Sequence, residues 1–359
     1  MTNNGMRQSN FELLRIMCML SIIGIHVYTQ TNASRLTIDN GLNYIFIVFI
    51  AYGGRLVCNC YVMIGAWFLT ESDFKAERVV NLWLEVFFYS VIITVVCRVL
   101  GVGDASFIKL VQSFFPVFGR PVWFAAEYIC LLLLSPFMNK FLLKDIVSCK
   151  KLLIIMGTLI IGCATAFPVE HTTPAFSELT WFCFLYLLIG YLKRCPLQWC
   201  NKKKDCWIWA GMSYVSLCLI YIICDTVEAI RGRGMIATYY MEHYESLGGF
   251  LCSLLLFYAV KNTLIPYNKG INKFGNCTFA VYVIHQVPAF YPFLWNGIFH
   301  VNEWVDTIYF IGYLVMMELI IFIICCIVDS ARKCIFEKCI FRSTIYEKIC
   351  SKIARLVEI

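Results

Sequence analysis

The chain has 359 residues, of which 60% are hydrophobic and 15% are charged, and its net charge is +7. Its mean hydropathy of +0.72 is far above that of a soluble domain. These values exclude a soluble globular or disordered protein and indicate a multipass membrane protein. The positive charge requires no nucleic acid partner, because anionic lipid at the inner leaflet attracts basic loops.

Ten apolar segments of the sequence are long enough to cross a bilayer. They are expected at 11–29, 43–69, 80–101, 121–139, 152–168, 177–192, 207–225, 245–262, 275–299 and 306–330. The sixth is short, Gly53-Gly54 is expected to interrupt the second, and Pro288 and Pro292 the ninth, so counts from eight to eleven also fit. The predicted fold class is an all-α polytopic bundle of about ten transmembrane helices.

Basic residues are distributed unevenly between the two sets of alternating loops. The set that includes both termini holds 22 of the 30 Lys and Arg residues, and the other set holds 6. Because cytoplasmic loops carry the excess of basic residues, both termini are predicted to be cytoplasmic. Residues 1–330 are assigned to the transmembrane domain, and 331–359 are expected to form a basic amphipathic cytoplasmic tail.

The twenty cysteines are spread through the chain without a Cys-x-x-Cys pair. They are expected to pack as small apolar side chains, and neither a metal site nor a disulfide framework is indicated.

The first span carries two ionisable side chains, Arg15 and His26. At about 100° per residue, their separation of eleven residues returns them to nearly the same helix face, roughly 16 Å apart, and Glu12 shares that face. Burying an arginine in lipid costs at least ~2.5 kcal/mol, so this face is expected to meet protein or a watery cavity. A functional site is the main interpretation. Alternatively, Arg15 is an interface residue paired with Glu12, and His26 bonds a neighbouring helix.

Four motifs follow one another along the chain. They are Asn10-Phe11-Glu12-Leu13-Leu14-Arg15 with His26; Gly54-Arg55 to Asn59 with Tyr61 to Leu69; Pro121-Val122-Trp123-Phe124 with Glu127-Tyr128 and Leu134-Ser135-Pro136-Phe137; and Phe274-Gly275 with Phe279 to His285. In this order they resemble the membrane acyltransferase-3 family, bacterial enzymes that acylate carbohydrates. In the second motif, Gly65-Ala66 stands where the family has a Ser-Gly turn.

The resemblance implies a multipass enzyme of the bacterial inner membrane. Such an enzyme transfers an acyl group, usually acetyl, from cytoplasmic acyl-CoA to a hydroxyl of a cell-envelope polysaccharide or its lipid-linked precursor. Acetyl-CoA is therefore the expected donor, and no metal is expected. The expected partners are a carbohydrate or glycolipid acceptor and the lipid bilayer, while oligomers and polysaccharide-assembly partners stay open.

Each candidate site residue has a chemical reason. His26 is the candidate general base, because imidazole can take a hydroxyl proton at neutral pH. Arg15 and Arg55 are candidate anchors for the phosphates of acyl-CoA near the inner face, and Glu12 is expected to hold Arg15 by an ion pair. The candidate acceptor or supporting residues are Trp123, Glu127, Tyr128 and His285.

Two other functional classes share several of these features. A secondary transporter also has about ten helices and intramembrane charge, but paired interrupted segments in two related halves would be expected, and the sequence shows no such symmetry. A flippase or polymerase of envelope glycans would handle the same acceptor without acyl-CoA. Dependence on acyl-CoA separates both alternatives from an acyltransferase.

Overall fold

The computed structural model describes residues 7–119, 121–166, 177–198, 202–232 and 236–357. The described residues form helices and connecting segments, with no strand among them, so the predicted all-helical fold is confirmed there. The helices are α1 (Ser9–Gln30), α2 (Leu42–Leu69), α3 (Ala76–Leu100), α4 (Phe107–Ser113), α5 (Trp123–Lys144), α6 (Ile146–Ala166), α7 (Glu178–Arg194), α8 (Lys203–Arg231), α9 (Ile236–Glu242), α10 (Leu247–Lys261), α11 (Lys269–Gly275), α12 (Thr278–Gln286), α13 (Tyr291–Phe293), α14 (Phe310–Cys339) and α15 (Thr344–Val357).

Seven of the described helices are long and apolar enough to cross a membrane, namely α1, α2, α3, α5, α6, α8 and α14. The bent stretch from Lys269 to Ile298 makes eight if it is one span. The predicted count of ten is not confirmed. The helices at the sixth and eighth predicted spans, α7 and α10, have 17 and 15 residues, fewer than the roughly 20 of a typical transmembrane helix.

The predicted ninth span is broken where its prolines lie. After α12 the chain turns by 89° into Tyr291–Ile298. Pro288 has no N–H to donate, and the break frees carbonyl groups. The loop after α3 and helix α4 pair two of them, since the Asp104 N–H donates to the Ala289 carbonyl at 2.9 Å and Lys109 Nζ of α4 donates to the Pro288 carbonyl at 3.2 Å. Such pairing is what permits a non-helical backbone at membrane depth.

The interruption expected at Gly53-Gly54 does not occur, because α2 is continuous. Gly54 instead brings α1 and α2 into close contact. A Cβ at Gly54 would lie 2.4 Å from the Ser21 carbonyl oxygen and 2.5 Å from Ile25 Cβ. Small residues have this role at helix contacts in membranes. The contact fixes α1 against α2 next to Arg55.

Loops that the charge pattern assigns to the same side lie together in the structure. At one end of the bundle, Asn10 Nδ2 donates to the Val260 carbonyl at 3.0 Å. At the other end, Asn43 Nδ2 donates to the Val305 carbonyl at 3.1 Å. Which end faces the cytoplasm stays a prediction.

The last membrane helix continues past the predicted domain boundary at residue 330. Helix α14 is unbroken to Cys339, so the start of the predicted tail belongs to this helix. Helix α15 packs on α3 through Cys350, and Tyr346 donates a 2.8 Å hydrogen bond to Asn81 Oδ1. The division into a transmembrane domain and a cytoplasmic tail stays a prediction.

Candidate functional site

Helices α1, α2 and α12 and the first residues of α5 enclose a cavity of about 600 Å³, part of which is open to solvent. We call it the His26 cavity. The residues that line it are Met19, Ile22, Ile25, His26, Thr29, Gly54, Arg55, Cys58, Tyr61, Trp123, Phe124, Phe279 and Tyr282. Three predicted site residues, His26, Arg55 and Trp123, therefore line the same cavity.

His26 on α1 and His285 on α12 form a hydrogen bond, with His26 Nδ1 2.9 Å from His285 Nε2. His285 is 1% exposed, and its Nδ1 lies 2.6 Å from the Val281 carbonyl oxygen. Because a carbonyl only accepts, His285 carries its proton on Nδ1, and Nε2 of the neutral ring is an acceptor. His26 therefore donates from Nδ1, and its own Nε2 keeps a lone pair.

The lone pair on His26 Nε2 is what a general base requires. A ring in this tautomer, placed in a cavity wall, can accept a proton from a bound hydroxyl. The sequence indicated His26 and His285 as separate candidates. The structure adds the hydrogen bond between them, which joins residues 259 positions apart in the chain.

Arg55 lies near the middle of α2 and lines the same cavity. Its Nη2 is 3.6 Å from Glu242 Oε1 on α9, and its Nε is buried without a hydrogen-bond partner. Tyr52 on α2 donates to the Tyr240 carbonyl at 3.2 Å and so holds α9 against α2. The guanidinium can still bind an anion or a carbonyl oxygen in the cavity.

Arg15 is outside the cavity lining that the structure describes. The predicted ion pair is present, with Glu12 Oε1 2.8 Å from Arg15 Nη1, and Glu12 Oε2 is also 3.2 Å from Arg7 Nη1. Gly275 makes room for this carboxylate, because a Cβ there would lie 2.4 Å from Glu12 Oε2. Tyr61, which lines the cavity, donates a 2.9 Å hydrogen bond to the Arg15 carbonyl. The ion-pair group and the cavity are thus neighbours along α1.

The predicted residues of α5 divide between the cavity wall and helix packing. Trp123 lines the cavity beside Phe124, whereas Glu127 and Tyr128 are not among the described lining residues. Tyr128 stacks on Phe124 with 5.9 Å between ring centroids. Its hydroxyl lies over Gly65, where a Cβ would be 2.3 Å away. Helix α2 stays helical at Gly65, so this glycine serves the packing of Tyr128 and no turn forms there.

A second group of charged side chains, which we call the ionic cluster, consists of Glu85 on α3 and Asp329, Arg332 and Lys333 on α14. Arg332 Nη2 is 2.6 Å from Asp329 Oδ1 and 3.2 Å from Glu85 Oε2, and Lys333 Nζ is 2.7 Å from Asp329 Oδ2. Asp329 is fully buried and Arg332 is 4% exposed. The sequence pattern placed Arg332 and Lys333 in the basic tail, but the structure shows them in structural ion pairs.

A larger space, which we call the lateral groove, opens between α3, the broken ninth span and α14. Its volume is about 1430 Å³, including space open to the surroundings. Its lining is almost entirely apolar and includes the exposed side chains of Ile92, Val96, Ile324 and Val328. His285 also lies in its wall, so this ring contacts His26 on one side and the groove on another.

The cavity also contains two tyrosines, Tyr61 and Tyr282, which were not predicted as site residues. Tyr282 is 5% exposed, and its O–H has no acceptor in the described structure, although the hydroxyl lies beside the backbone of Phe124. It precedes His285 by three residues, the spacing that places two side chains on one helix face. This spacing is visible in the sequence, but only the packing shows that the face lines a cavity. Tyr61 has no such signal, because its partner is a backbone carbonyl on another helix.

A comparison with known protein families identifies the family to which the chain belongs. A family model described as an acyltransferase domain matches residues 8–326, a stretch that includes all four helices around the His26 cavity. No curated protein and no solved structure gives a match. The chain therefore belongs to the acyltransferase-3 family.

Proposed function

We propose that the protein is an O-acetyltransferase of the bacterial inner membrane. It transfers the acetyl group of cytoplasmic acetyl-CoA to a hydroxyl of a cell-envelope polysaccharide or of its lipid-linked precursor. Family membership supports acyl transfer. The observation that carries the proposal is His26, which lines the cavity and keeps a lone pair on Nε2, beside Arg55, whose buried Nε has no hydrogen-bond partner. A base beside hydrogen-bond donors is the combination that acyl transfer requires.

His26 is the general base in this mechanism. Its Nε2 takes the proton of the acceptor hydroxyl while that oxygen forms a bond to the thioester carbonyl carbon. When the carbon–sulfur bond breaks, the same proton passes from His26 to the leaving sulfur and gives the CoA thiol. His285 holds His26 in the required tautomer by accepting the Nδ1–H hydrogen bond. Proton transfer of this kind contributes roughly 10²–10⁴-fold to a rate.

The donor would extend along α1. Arg15 binds the phosphates at the nucleotide end, because guanidinium groups match phosphate geometry, and Glu12 holds Arg15 in place. Arg7, on the other oxygen of Glu12, adds a second positive charge. Arg55 acts at the thioester end rather than at the phosphates, because it lines the same cavity as His26.

The acceptor would enter the His26 cavity from the end where Thr29 lies, opposite the ion-pair group of Glu12. Trp123 offers an aromatic face to a sugar ring in the cavity wall. Tyr128 supports the start of α5 by stacking on Phe124. Glu127, the residue before Tyr128, lies in the same helix. Donor and acceptor would thus meet at His26 from opposite ends of the bundle.

The test uses purified protein in nanodiscs, with binding of labelled acetyl-CoA and transfer of labelled acetyl to an envelope glycan extract measured together. We expect His26→Gln to bind acetyl-CoA normally and to lose transfer by roughly 10²–10⁴-fold, because only proton transfer is removed. We expect Arg15→Ala to weaken acetyl-CoA binding, because it removes the phosphate anchor.

Two variants outside the site serve as matched controls. His300→Asn changes an exposed histidine whose positive φ of 46° asparagine tolerates, and Arg35→Ala removes an exposed arginine. Both should keep wild-type binding and transfer. If wild-type protein binds no acetyl-CoA, the proposal is wrong, and a transporter or flippase of envelope glycans becomes the better interpretation.

A further inference from the structure

Two residues that line the His26 cavity carry a hydrogen-bond donor that has no acceptor within the described structure. The Tyr282 hydroxyl is buried on a side chain that is 5% exposed, and Arg55 Nε is buried as well. Leaving a buried donor unsatisfied costs about 1–3 kcal/mol. A bound ligand whose acceptor oxygen reaches these groups would remove this cost. The residues that line the cavity therefore supply one base, His26, and two donors without an acceptor, Arg55 Nε and the Tyr282 hydroxyl.

The start of α5, which packs against α12, adds positive potential to the same space. Helix α5 begins at Trp123, and its first two residues, Trp123 and Phe124, line the cavity. The preceding residue is Val122, whose side chain offers no cap to the first N–H groups. The positive end of the dipole of this 22-residue helix therefore lies at the cavity. Negative charge that develops there is stabilised.

Aromatic contacts fix the position of the Tyr282 ring. Its centroid lies 5.7 Å from that of Phe124 and 6.1 Å from that of His285, both in edge-on arrangements. Tyr282 and His285 also share one face of α12, three residues apart. The same short helix therefore orients the base, through His285, and carries the unpaired hydroxyl.

We propose that Tyr282 is a further catalytic residue, whose hydroxyl, together with Arg55, binds the oxyanion of the acyl-transfer intermediate. This inference rests on the proposed function. When the acceptor oxygen bonds to the thioester carbon, the carbonyl π electrons move to the carbonyl oxygen, and Tyr282 donates a hydrogen bond to it without giving up its proton. The C=O bond re-forms as the carbon–sulfur bond breaks, and His26 delivers the acceptor's proton to sulfur.

The test compares Tyr282→Phe with Tyr244→Phe in nanodiscs. Tyr244 is a matched control, because its hydroxyl is also buried without a partner but does not line the cavity. We expect Tyr282→Phe to lower kcat for acetyl transfer by about 10²-fold with little change in the KM for acetyl-CoA, as for the loss of one oxyanion donor. Tyr244→Phe should keep wild-type kinetics, and both variants should unfold at the wild-type temperature.

A second readout does not depend on turnover. Acetyl-CoA labelled with ¹³C at the carbonyl can be bound in the absence of the sugar acceptor. Its carbonyl stretching frequency in wild-type protein should be lower than that of the same molecule free in solution. This shift should shrink in Tyr282→Phe and stay in Tyr244→Phe.

The outcomes separate the two proposals. An active wild type whose Tyr282→Phe variant keeps full kcat and the full carbonyl shift would overturn the role of Tyr282 and leave the acyltransferase intact. A wild type that neither binds acetyl-CoA nor transfers acetyl would overturn the proposed function itself.

Discussion

The His26 cavity and the ionic cluster both bury ionisable side chains among membrane helices, but they differ in whether the polar atoms of these side chains have partners. In the cluster, every charge has an opposite charge within 3.2 Å. In the cavity, His26 keeps a free lone pair, and Arg55 Nε and the Tyr282 hydroxyl have no partner.

This contrast distinguishes charges that stabilise a membrane protein from charges that bind a ligand. A buried ion pair satisfies its own groups, and removing one partner leaves an uncompensated charge. A substrate site instead leaves groups unsatisfied until the ligand binds. Burial alone would have marked Arg332, which is 4% exposed, above Arg55. Buried atoms without a partner also occur elsewhere, as at the Tyr244 hydroxyl, so the space beside His26 and its Nε2 lone pair are what make the cavity the candidate reactive region.

The largest expected effect is on the ionic cluster. Asp329→Leu leaves Arg332 and Lys333 without their shared carboxylate, so we expect a loss of about 3–5 kcal/mol in the free energy of unfolding. Denaturant unfolding in detergent micelles measures this. Glu337→Leu, which changes an exposed carboxylate on the same helix, should stay within about 0.5 kcal/mol of wild type. Transfer activity per folded molecule should not change. A specific loss of activity in the Asp329 variant would place the cluster in the site.

The next effect is expected at His285, a positioning residue that acts through His26. His285→Leu removes the acceptor for the His26 Nδ1–H, so we expect kcat to fall by about 10²-fold, equivalent to ~2.7 kcal/mol, while the KM for acetyl-CoA holds. His285→Gln, whose side-chain carbonyl can accept the same hydrogen bond, should recover much of this loss. Equal kcat values for the two variants would show that His285 only fills space.

The smallest effect is expected at Glu12. Glu12→Gln keeps the shape of the side chain but weakens its bonds to Arg15 and Arg7, so the KM for acetyl-CoA should rise several-fold, about 1 kcal/mol, with kcat nearly constant. Steady-state kinetics in nanodiscs give both values. Glu347→Gln, in helix α15, is the matched control. A fall in kcat without a change in KM would remove the ion-pair group from donor binding.

The sequence is most informative about features that depend on local pattern. The first two spans, predicted at 11–29 and 43–69, lie within two residues of α1 and α2, because long apolar runs have clear ends. Prolines predicted the break of the ninth span, and the three-residue spacing predicted the pairing of Glu12 with Arg15.

The remaining features depend on how the helices pack. Gly53-Gly54 can break a helix or admit a neighbour, and only the approach of Ser21 shows that it does the second. The bond from His26 to His285 joins distant parts of the chain, so no local pattern predicts it. The pairing of Arg332 with Glu85 is missed for the same reason. Local spacing in the sequence therefore predicts individual site residues, whereas the hydrogen bonds and ion pairs between them are seen only in the folded structure.

The lateral groove makes the bilayer a boundary of the site. In a membrane, hydrocarbon chains rather than water fill an apolar space that opens sideways. His285 is 1% exposed but lies in the wall of this groove, so hydrocarbon in the groove would come close to the ring that is bonded to His26. The composition of the membrane would then reach the proposed base through its hydrogen-bond partner, across a single helix wall.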